Sequence, residues 1–223
     1  KGPLEKAQEH IREEKIGGKI ATRLGNGLAP LEPGETDTVI IAGMGGDLIC
    51  KILKAKPEFL IEGKEFILQP QSEWFKIRRL LKEYRYQIEK EWFLKEDGKY
   101  YVIIKAEPAW TQPQRLKHQQ PSIHEYIKEI SDTQVNQAVS EKDMESIYEQ
   151  YGKYLIETKN PVLKEYLEKE ITKKESIAAE LKQSIKEIES EELSGKERGN
   201  IAKRQRRYQE IQKEIRDMRK AIG

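Results

Sequence analysis

Apolar residues fall into two rhythms along the chain, and the change comes near residue 107. Before it, short apolar runs alternate with amphipathic stretches. Pro3 to Lys15 reads as a helix, with a proline in its first turn and Gly17-Gly18 as its stop. A short strand is expected over Lys19 to Leu24, then a turn at Gly25-Asn26-Gly27. Val39-Ile40-Ile41-Ala42 is a continuous apolar run, the pattern of a strand covered on both faces. Gly43-Met44-Gly45-Gly46 follows at once, and then a helix from Asp47 to about Lys54. Phe66-Ile67-Leu68 predicts the next strand, which ends at Gln69-Pro70-Gln71, and a helix from Ser72 to Glu83 comes after it. This alternation of strand and helix predicts a parallel sheet. Asp97-Gly98 lies between two β-prone runs, Tyr86 to Phe93 and Tyr100 to Ala106, and so predicts a closing antiparallel hairpin.

After residue 107 the chain is charged and helix-like. Pro108, Pro113 and Pro121 mark a linker or lining stretch. Leu163, Leu167, Ile171, Ile177, Leu181, Ile185 and Ile188 form one narrow apolar stripe; Ile201, Tyr208, Ile211, Ile215, Met218 and Ile222 form another. A polar stretch from Ser194 to Asn200 with two glycines separates them, so an antiparallel helical hairpin close to a coiled coil is expected. The seam of an oligomer is the alternative, and a monomer is favoured. The expected organisation is an incomplete Rossmann-like α/β domain over 1–107, a helical linker or lining region over 108–161, and a coiled-coil hairpin over 162–223.

Composition narrows the function classes. Hydrophobic and charged residues each make up 36% of the 223 residues, which fits a globule with an exposed helical appendage. The net charge of +2 gives no global pull toward nucleic acid. Residues 196 to 220 nevertheless hold ten Lys or Arg against four acids, a local footprint suited to a phosphate backbone. Lys203, Arg204, Arg206 and Arg207 are the candidates, against the plainer reading of a solvated helix face. A single cysteine, Cys50, excludes an intrachain disulfide framework, and the three histidines lack metal-ligand spacing, so no metal is expected. No apolar run approaches a membrane span, and a soluble cytoplasmic protein is the simplest expectation.

Chemistry is expected where the glycines follow the strands. Gly43, Gly45 and Gly46 let a ligand approach the backbone at the carboxyl edge of a sheet, or simply make a tight strand-to-helix turn. A dinucleotide fingerprint fits poorly, because Leu48 stands where its third glycine would be. Asn26 offers an amide to a nucleobase edge, or is an ordinary turn residue. Gln69 offers both donor and acceptor beside a rigid Pro70, or merely caps the next helix. Trp74 and Arg78 share a helix face and with Arg79 suit a base or phosphate; the alternative is a core tryptophan beside solvated arginines.

Several segments in this order resemble the bacterial tRNA (adenine-22-N1)-methyltransferase family, whose members are class I S-adenosylmethionine-dependent enzymes. They are Arg23-Leu24-Gly25-Asn26-Gly27-Leu28, Asp37 to Gly46 with its Ile-Ala-Gly-Met-Gly-Gly core, Ile67-Leu68-Gln69-Pro70-Gln71, Glu96 to Tyr101, and Tyr151 to Leu155 with Lys159 to Leu163. The antiparallel end of the predicted sheet agrees with that class. The resemblance implies S-adenosyl-L-methionine as cofactor, tRNA as partner, and methylation of adenine N1 in the D-arm region. It assigns Gly25, Asn26, Gly27, Ala42, Gly43 and Met44 to the cofactor side and Gly45, Gly46, Gln69 and Pro70 to the acceptor-base side. Arg78 matches a family arginine, while Gln71 and Leu80 depart from a frequent Asn and Trp. Family members begin with further residues that carry the first strand and its glycine-rich cofactor loop, so an N-terminally truncated chain that binds cofactor poorly is expected. The competing functions are methyl transfer to another acceptor and an inactive RNA-binding or helical interaction module. Replacing Gln69 by Ala in a full-length enzyme is expected to lower turnover strongly with little change in cofactor affinity.

Overall fold

A computed structural model describes residues 2–109, 139–189 and 195–223. The first helix, α1, spans Gly2–Glu13, close to its expected limits. Residues 19 to 24 form no strand: Ile20 and Leu24 are exposed, and no described strand pairs with them. β-propensity becomes a strand only where a neighbour supplies a ladder. Strand β1 (Thr38–Met44) leads into helix α2 (Gly46–Lys54) and the short helix α3 (Glu58–Ile61). Strand β2 (Glu65–Pro70), helix α4 (Trp74–Glu83), and strands β3 (Tyr86–Glu96) and β4 (Lys99–Pro108) follow.

The four strands lie in the order β1-β2-β4-β3, with β1 parallel to β2 and the β3–β4 hairpin antiparallel, so the parallel sheet with an antiparallel end is as expected. The hairpin turns at Asp97 (φ 47°) and Gly98 (φ 76°), the left-handed pair that a two-residue loop requires. One expectation for β1 fails. Val39 and Ile41 are buried, but Ile40 is 67% exposed, so the described residues cover only one face of that strand. The core lies under that face, where Ile49, Leu53, Phe66, Leu68, Ile77, Leu81 and Ile104 are fully buried.

Helices α5 (Val139–Tyr151), α6 (Lys153–Glu157), α7 (Pro161–Glu189) and α8 (Gly195–Ile222) complete the described chain. Asn160 caps α7, its side-chain oxygen accepting from the Val162 and Leu163 N–H groups at 3.0 Å. Residues 110–138, with Pro113 and Pro121, and Ser194 lie outside the described residues; Pro108 ends β4 rather than opening a linker. Residues 195–200 of the expected loop belong to α8.

The two long helices run antiparallel. Ser184 meets Arg204, Lys174 meets Glu214 and Glu175 meets Arg219, so positions rise on one helix as they fall on the other. The apolar seam is as expected except at Ile177, which is exposed while Ala178 next to it is buried. One turn of helix moves the face by 360° in 3.6 residues, so a six-residue step from Ile171 stops about 120° short of the stripe and a seven-residue step stays on it. The base of this pair is continuous with the sheet layer: Tyr151, Leu155, Leu163, Leu167, Ile211 and Ile215 belong to the same buried cluster as β2 and α4.

Candidate functional site

The carboxyl ends of β1 and β2 are stitched into one rim. The ladder pairs Ala42 with Gln69 and then Met44 with Pro70, so Gly43 is an extra residue, a bulge, with φ 78°. A bulge leaves a backbone N–H without its ladder partner. Here the Gln69 side chain replaces it: Gly43 N–H donates to Gln69 Oε1 at 2.8 Å. Beyond it, Gln71 N–H donates to the Met44 carbonyl (2.8 Å) and Gly46 N–H to the Ser72 carbonyl (3.0 Å). Nothing lies within 4 Å of where a Gly43 side chain would start, so the backbone there stands open. Gly46 is the opposite case, since a Cβ would sit 2.7 Å from the Ser72 and Glu73 carbonyl oxygens. The glycines do different work: Gly43 leaves the space beside the backbone empty, and Gly46 lets two loops touch.

Charge around this rim is internally matched. The Glu73 carboxylate accepts from the Asp47 N–H at 3.2 Å, at the positive end of α2. Asp47 itself lies between Lys51 (2.7 Å) and Lys76 (2.9 Å), and their hydrogen bonds hold its carboxyl down at about 2. Lys76 likewise lowers Glu73, and its own pKa is raised by both acids.

Asn26 is exposed on a loop that leans on α2: a Cβ on Gly27 (φ 57°) would lie 2.8 Å from Ile52 Cγ2, and one on Gly25 2.6 Å from the Pro30 ring. Arg23 clasps Glu35 through both nitrogens (2.6 and 2.7 Å) and holds its carboxyl at about 2, which closes this loop on itself.

The arginines expected at an RNA surface divide. Arg78 is 4% exposed; its Nε donates to Glu91 Oε1 (2.7 Å) and one terminal nitrogen to the Glu149 and Gln150 carbonyls (3.0 Å each). It is therefore spent inside the protein and does not face solvent. Burial pushes the Glu91 carboxyl up while Arg78 pulls it down. Removing one partner of such a pair costs about 3–5 kcal/mol, whereas replacing both by apolar groups is often neutral. Arg79 is exposed but bonded to Glu149 (3.0 Å). Trp74 packs edge-on against Phe93 (5.4 Å) and beside Tyr166 (5.7 Å), which makes it a core residue rather than a stacking platform.

On α8, Arg204 bonds Ser184 and Arg207 bonds Glu210 and Glu214, while Lys203 and Arg206 are exposed. Lys213, Arg216 and Lys220 are exposed as well; Arg206, Lys213 and Lys220 are seven residues apart and thus form one line on the face opposite the apolar seam. Glu210 and Asp217 stand three or four residues from members of this line and so border it on the same side of the helix. A further acidic group, Glu65, Glu89 and Glu107, is gathered by Lys105 Nζ at 2.9, 2.6 and 3.2 Å.

Residues 1–150 match the family model of tRNA (adenine(22)-N(1))-methyltransferase. The chain belongs to that family. It is 32% identical over 167 residues to the Bacillus subtilis (strain 168) tRNA (adenine(22)-N(1))-methyltransferase, an alignment spanning 60% of this chain and 69% of that protein. The fold of the B. subtilis M1A22 tRNA methyltransferase crystal structure covers 100% of this chain and 79% of that one, with a TM-score of 0.67 at 24% identity. The Streptococcus pneumoniae protein Sp1610, crystallised with S-adenosyl-L-methionine, has a TM-score of 0.62 at 22% identity, covering 100% of this chain and 78% of that one. The tRNA (adenine(22)-N(1))-methyltransferase family thus accounts for the sheet, and the structural likeness extends through the helical pair.

Proposed function

We propose that the rim formed by Gly43 to Gly46 and Gln69 to Gln71 is the methyl-transfer site for adenine N1 at position 22 of tRNA, with S-adenosyl-L-methionine as donor. The observation that carries this reading is the bond from Gly43 to Gln69, which joins the cofactor-side turn to the base-side strand end. The open backbone at Gly43 suits a group that must approach closely, and the set of backbone and amide groups suits a neutral purine. The cofactor supplies an already activated methyl group on a sulfonium. Adenine N1 carries its own lone pair, so this chain need place no strong base there. Its task is to hold a base that has left its stack in line with the methyl group and to tolerate the charge that forms on the ring. Asn26, Gly25 and Gly27 bound the cofactor side with Ala42 and Met44; Gly45, Gly46 and Pro70 shape the base side.

The Gly43 bond changes the role expected for Gln69. Its Oε1 already accepts one hydrogen bond, and its Nε2 is buried with no protein partner. Gln69→Ala removes the acceptor that steadies the cofactor turn, and therefore weakens cofactor binding as well as turnover. Gln69→Glu keeps that acceptor and loses the donor. Titration calorimetry with S-adenosylhomocysteine, combined with methylation of an unmodified tRNA transcript, tests this. The expected result is roughly ten-fold weaker binding for Ala, near normal binding for Glu, and turnover lowered in both. Normal turnover in both would remove Gln69 from the site.

The tRNA backbone is met by the line of Arg206, Lys213 and Lys220, about 21 Å long for fourteen residues of helix, with Lys203 at its end. Arg204 and Arg207, held by α7 and by their own helix, flank it. Reversing Lys213 and Lys220 to Glu is expected to weaken tRNA binding and lower its salt dependence, with S-adenosylhomocysteine affinity unchanged. The intramolecular pairing of α7 with α8 favours a monomer. Among the described residues no helix is long and apolar enough to cross a membrane, and a tRNA substrate favours a cytoplasmic site of action.

A further inference from the structure

The buried pair at Arg78 lies where three parts of the molecule meet. Arg78 comes from α4, Glu91 from β3, and the two captured carbonyls, Glu149 and Gln150, from the last turn of α5. The side chains of Arg78 and Glu91 are 3% and 0% exposed. Gly152, in the break between α5 and α6, closes over them with φ 92°; a Cβ there would lie 2.4 Å from Glu91 Oε2 and 2.9 Å from an Arg78 terminal nitrogen. The site therefore admits only glycine over the ion pair, and the fork of Arg78 reads the end of α5 directionally. Immediately beyond this break, Leu155, Leu163 and Leu167 enter the same buried cluster as Ile211 and Ile215 of α8.

Other contacts at the base of the helical arm are of a different kind. Phe93, Tyr100, Tyr166 and Trp74 pack as tilted or edge-on rings, and Lys95 and Lys169 bond Glu165 at the surface. Ring packing is strong but weakly directional, and exposed ion pairs are screened. A buried fork with fixed acceptors selects one geometry rather than adding much net stability.

We infer that Arg78, Glu91 and Gly152 form the joint that sets the angle of the α7–α8 arm relative to the methyl-transfer rim, and that Arg78 is a positioning residue for tRNA. The inference rests on the reading that the arm meets tRNA. It leaves Arg78 no direct contact with RNA.

The test is the double variant Arg78→Met with Glu91→Met, which removes the fork without leaving a lone buried charge. Spin labels at exposed Glu58 and Lys182, in a Cys50→Ala background, report the arm angle as a distance distribution. The parent is expected to give one narrow peak and the double variant a broadened or shifted one. KM for tRNA is expected to rise about ten-fold, with S-adenosylhomocysteine affinity unchanged; Gly152→Ala, which presses on the same fork, is expected to move both readouts in the same direction. An unchanged distance distribution in both variants overturns the joint. A changed distribution with unchanged KM keeps the joint and overturns the arm's part in tRNA binding. Loss of S-adenosylhomocysteine affinity along with the rise in KM would mark a general structural defect and also overturn the inference.

Discussion

The rim at the ends of β1 and β2 and the root of the helical arm hold the chain together in opposite ways. At the rim the two strand ends are tied through backbone groups, with Gly43, Gly46 and Gln71 donating, Met44 and Ser72 accepting and one carboxamide filling the gap, while the charges of Asp47, Glu73 and Lys76 bridge α2 and α4 beside it. At the root, side chains from distant segments do the holding, through the rings of Trp74, Phe93, Tyr100 and Tyr166 and the buried fork of Arg78. A site made of backbone stays open to a ligand, because small residues leave room above it. A junction made of large side chains is filled and fixed. The two regions should therefore answer differently to mutation, the root in stability and the rim in activity.

The largest expected effect is at the root. Phe93 is 2% exposed and touches the rings of Trp74, Tyr100 and Tyr166. Phe93→Ala should cost about 3–5 kcal/mol in denaturant unfolding, through lost burial and the cavity left behind. Ligand affinity, measured where the variant is still folded, should stay near that of the parent. A loss of affinity matching the loss of stability would erase the contrast between the two regions.

Gly46→Ala should do the reverse. The added methyl presses on two backbone carbonyls at 2.7 Å, neither of which is the far end of a flexible side chain. Overpacking of this kind costs about 1–3 kcal/mol, less than the root variant. Because the strain falls on Ser72 and Glu73, next to Gln69 and Pro70, turnover should fall by about a hundred-fold or more, as a displacement of about 1 Å can do. Unchanged single-turnover methylation would show that the rim tolerates movement, and that its tight stitching serves folding alone.

The same difference explains how much of the molecule was legible in the sequence. Glycines after apolar runs announce a rim, since they mark backbone positions where a side chain cannot go, and the expected sites at Gly43 to Gly46 and Gln69-Pro70 do lie on adjacent strand ends. The hairpin was legible from Asp97-Gly98 for the same local reason. The root was not. Arg78 and Glu149 are seventy-one residues apart in sequence, as the bond between them records, and no local spacing links them. Arg78 therefore looked like a surface cation, whereas the core alternative for Trp74 is the one its ring contacts support. Lys19 to Leu24 failed for the complementary reason: its β-prone residues have no described partner strand. On α8 the excess of positive charge was visible, but which arginines are free depends on acids three and seven residues away and on Ser184 across the pair.

The smallest effect sharpens the picture of the rim, because it concerns charges that water can reach. Asp47 bridges Lys51 and Lys76, tying the start of α2 to α4, with its side chain 44% exposed. Its carboxyl is held at about 2 by hydrogen bonds first from Lys51 and then from Lys76, below the value of about 3.9 for an unfolded chain. A depressed pKa means that the native state binds the proton less readily than the unfolded one. The contribution is thus complete above about pH 4 and is lost as pH falls toward about 2. Glu35 is also held at about 2 by Arg23, so the parent should lose thermal stability through this window for more than one reason. Asp47→Asn should remove only its own share, giving a shallower fall in Tm between pH 4 and pH 2 and a curve that converges on the parent at the acid end. Solvent screening keeps the difference to a degree or two, well below the two core changes. If the two curves ran parallel throughout, the bridge from α2 to α4 would contribute nothing at the rim, and its order would rest on the backbone bonds from Gly43, Gly46 and Gln71 alone.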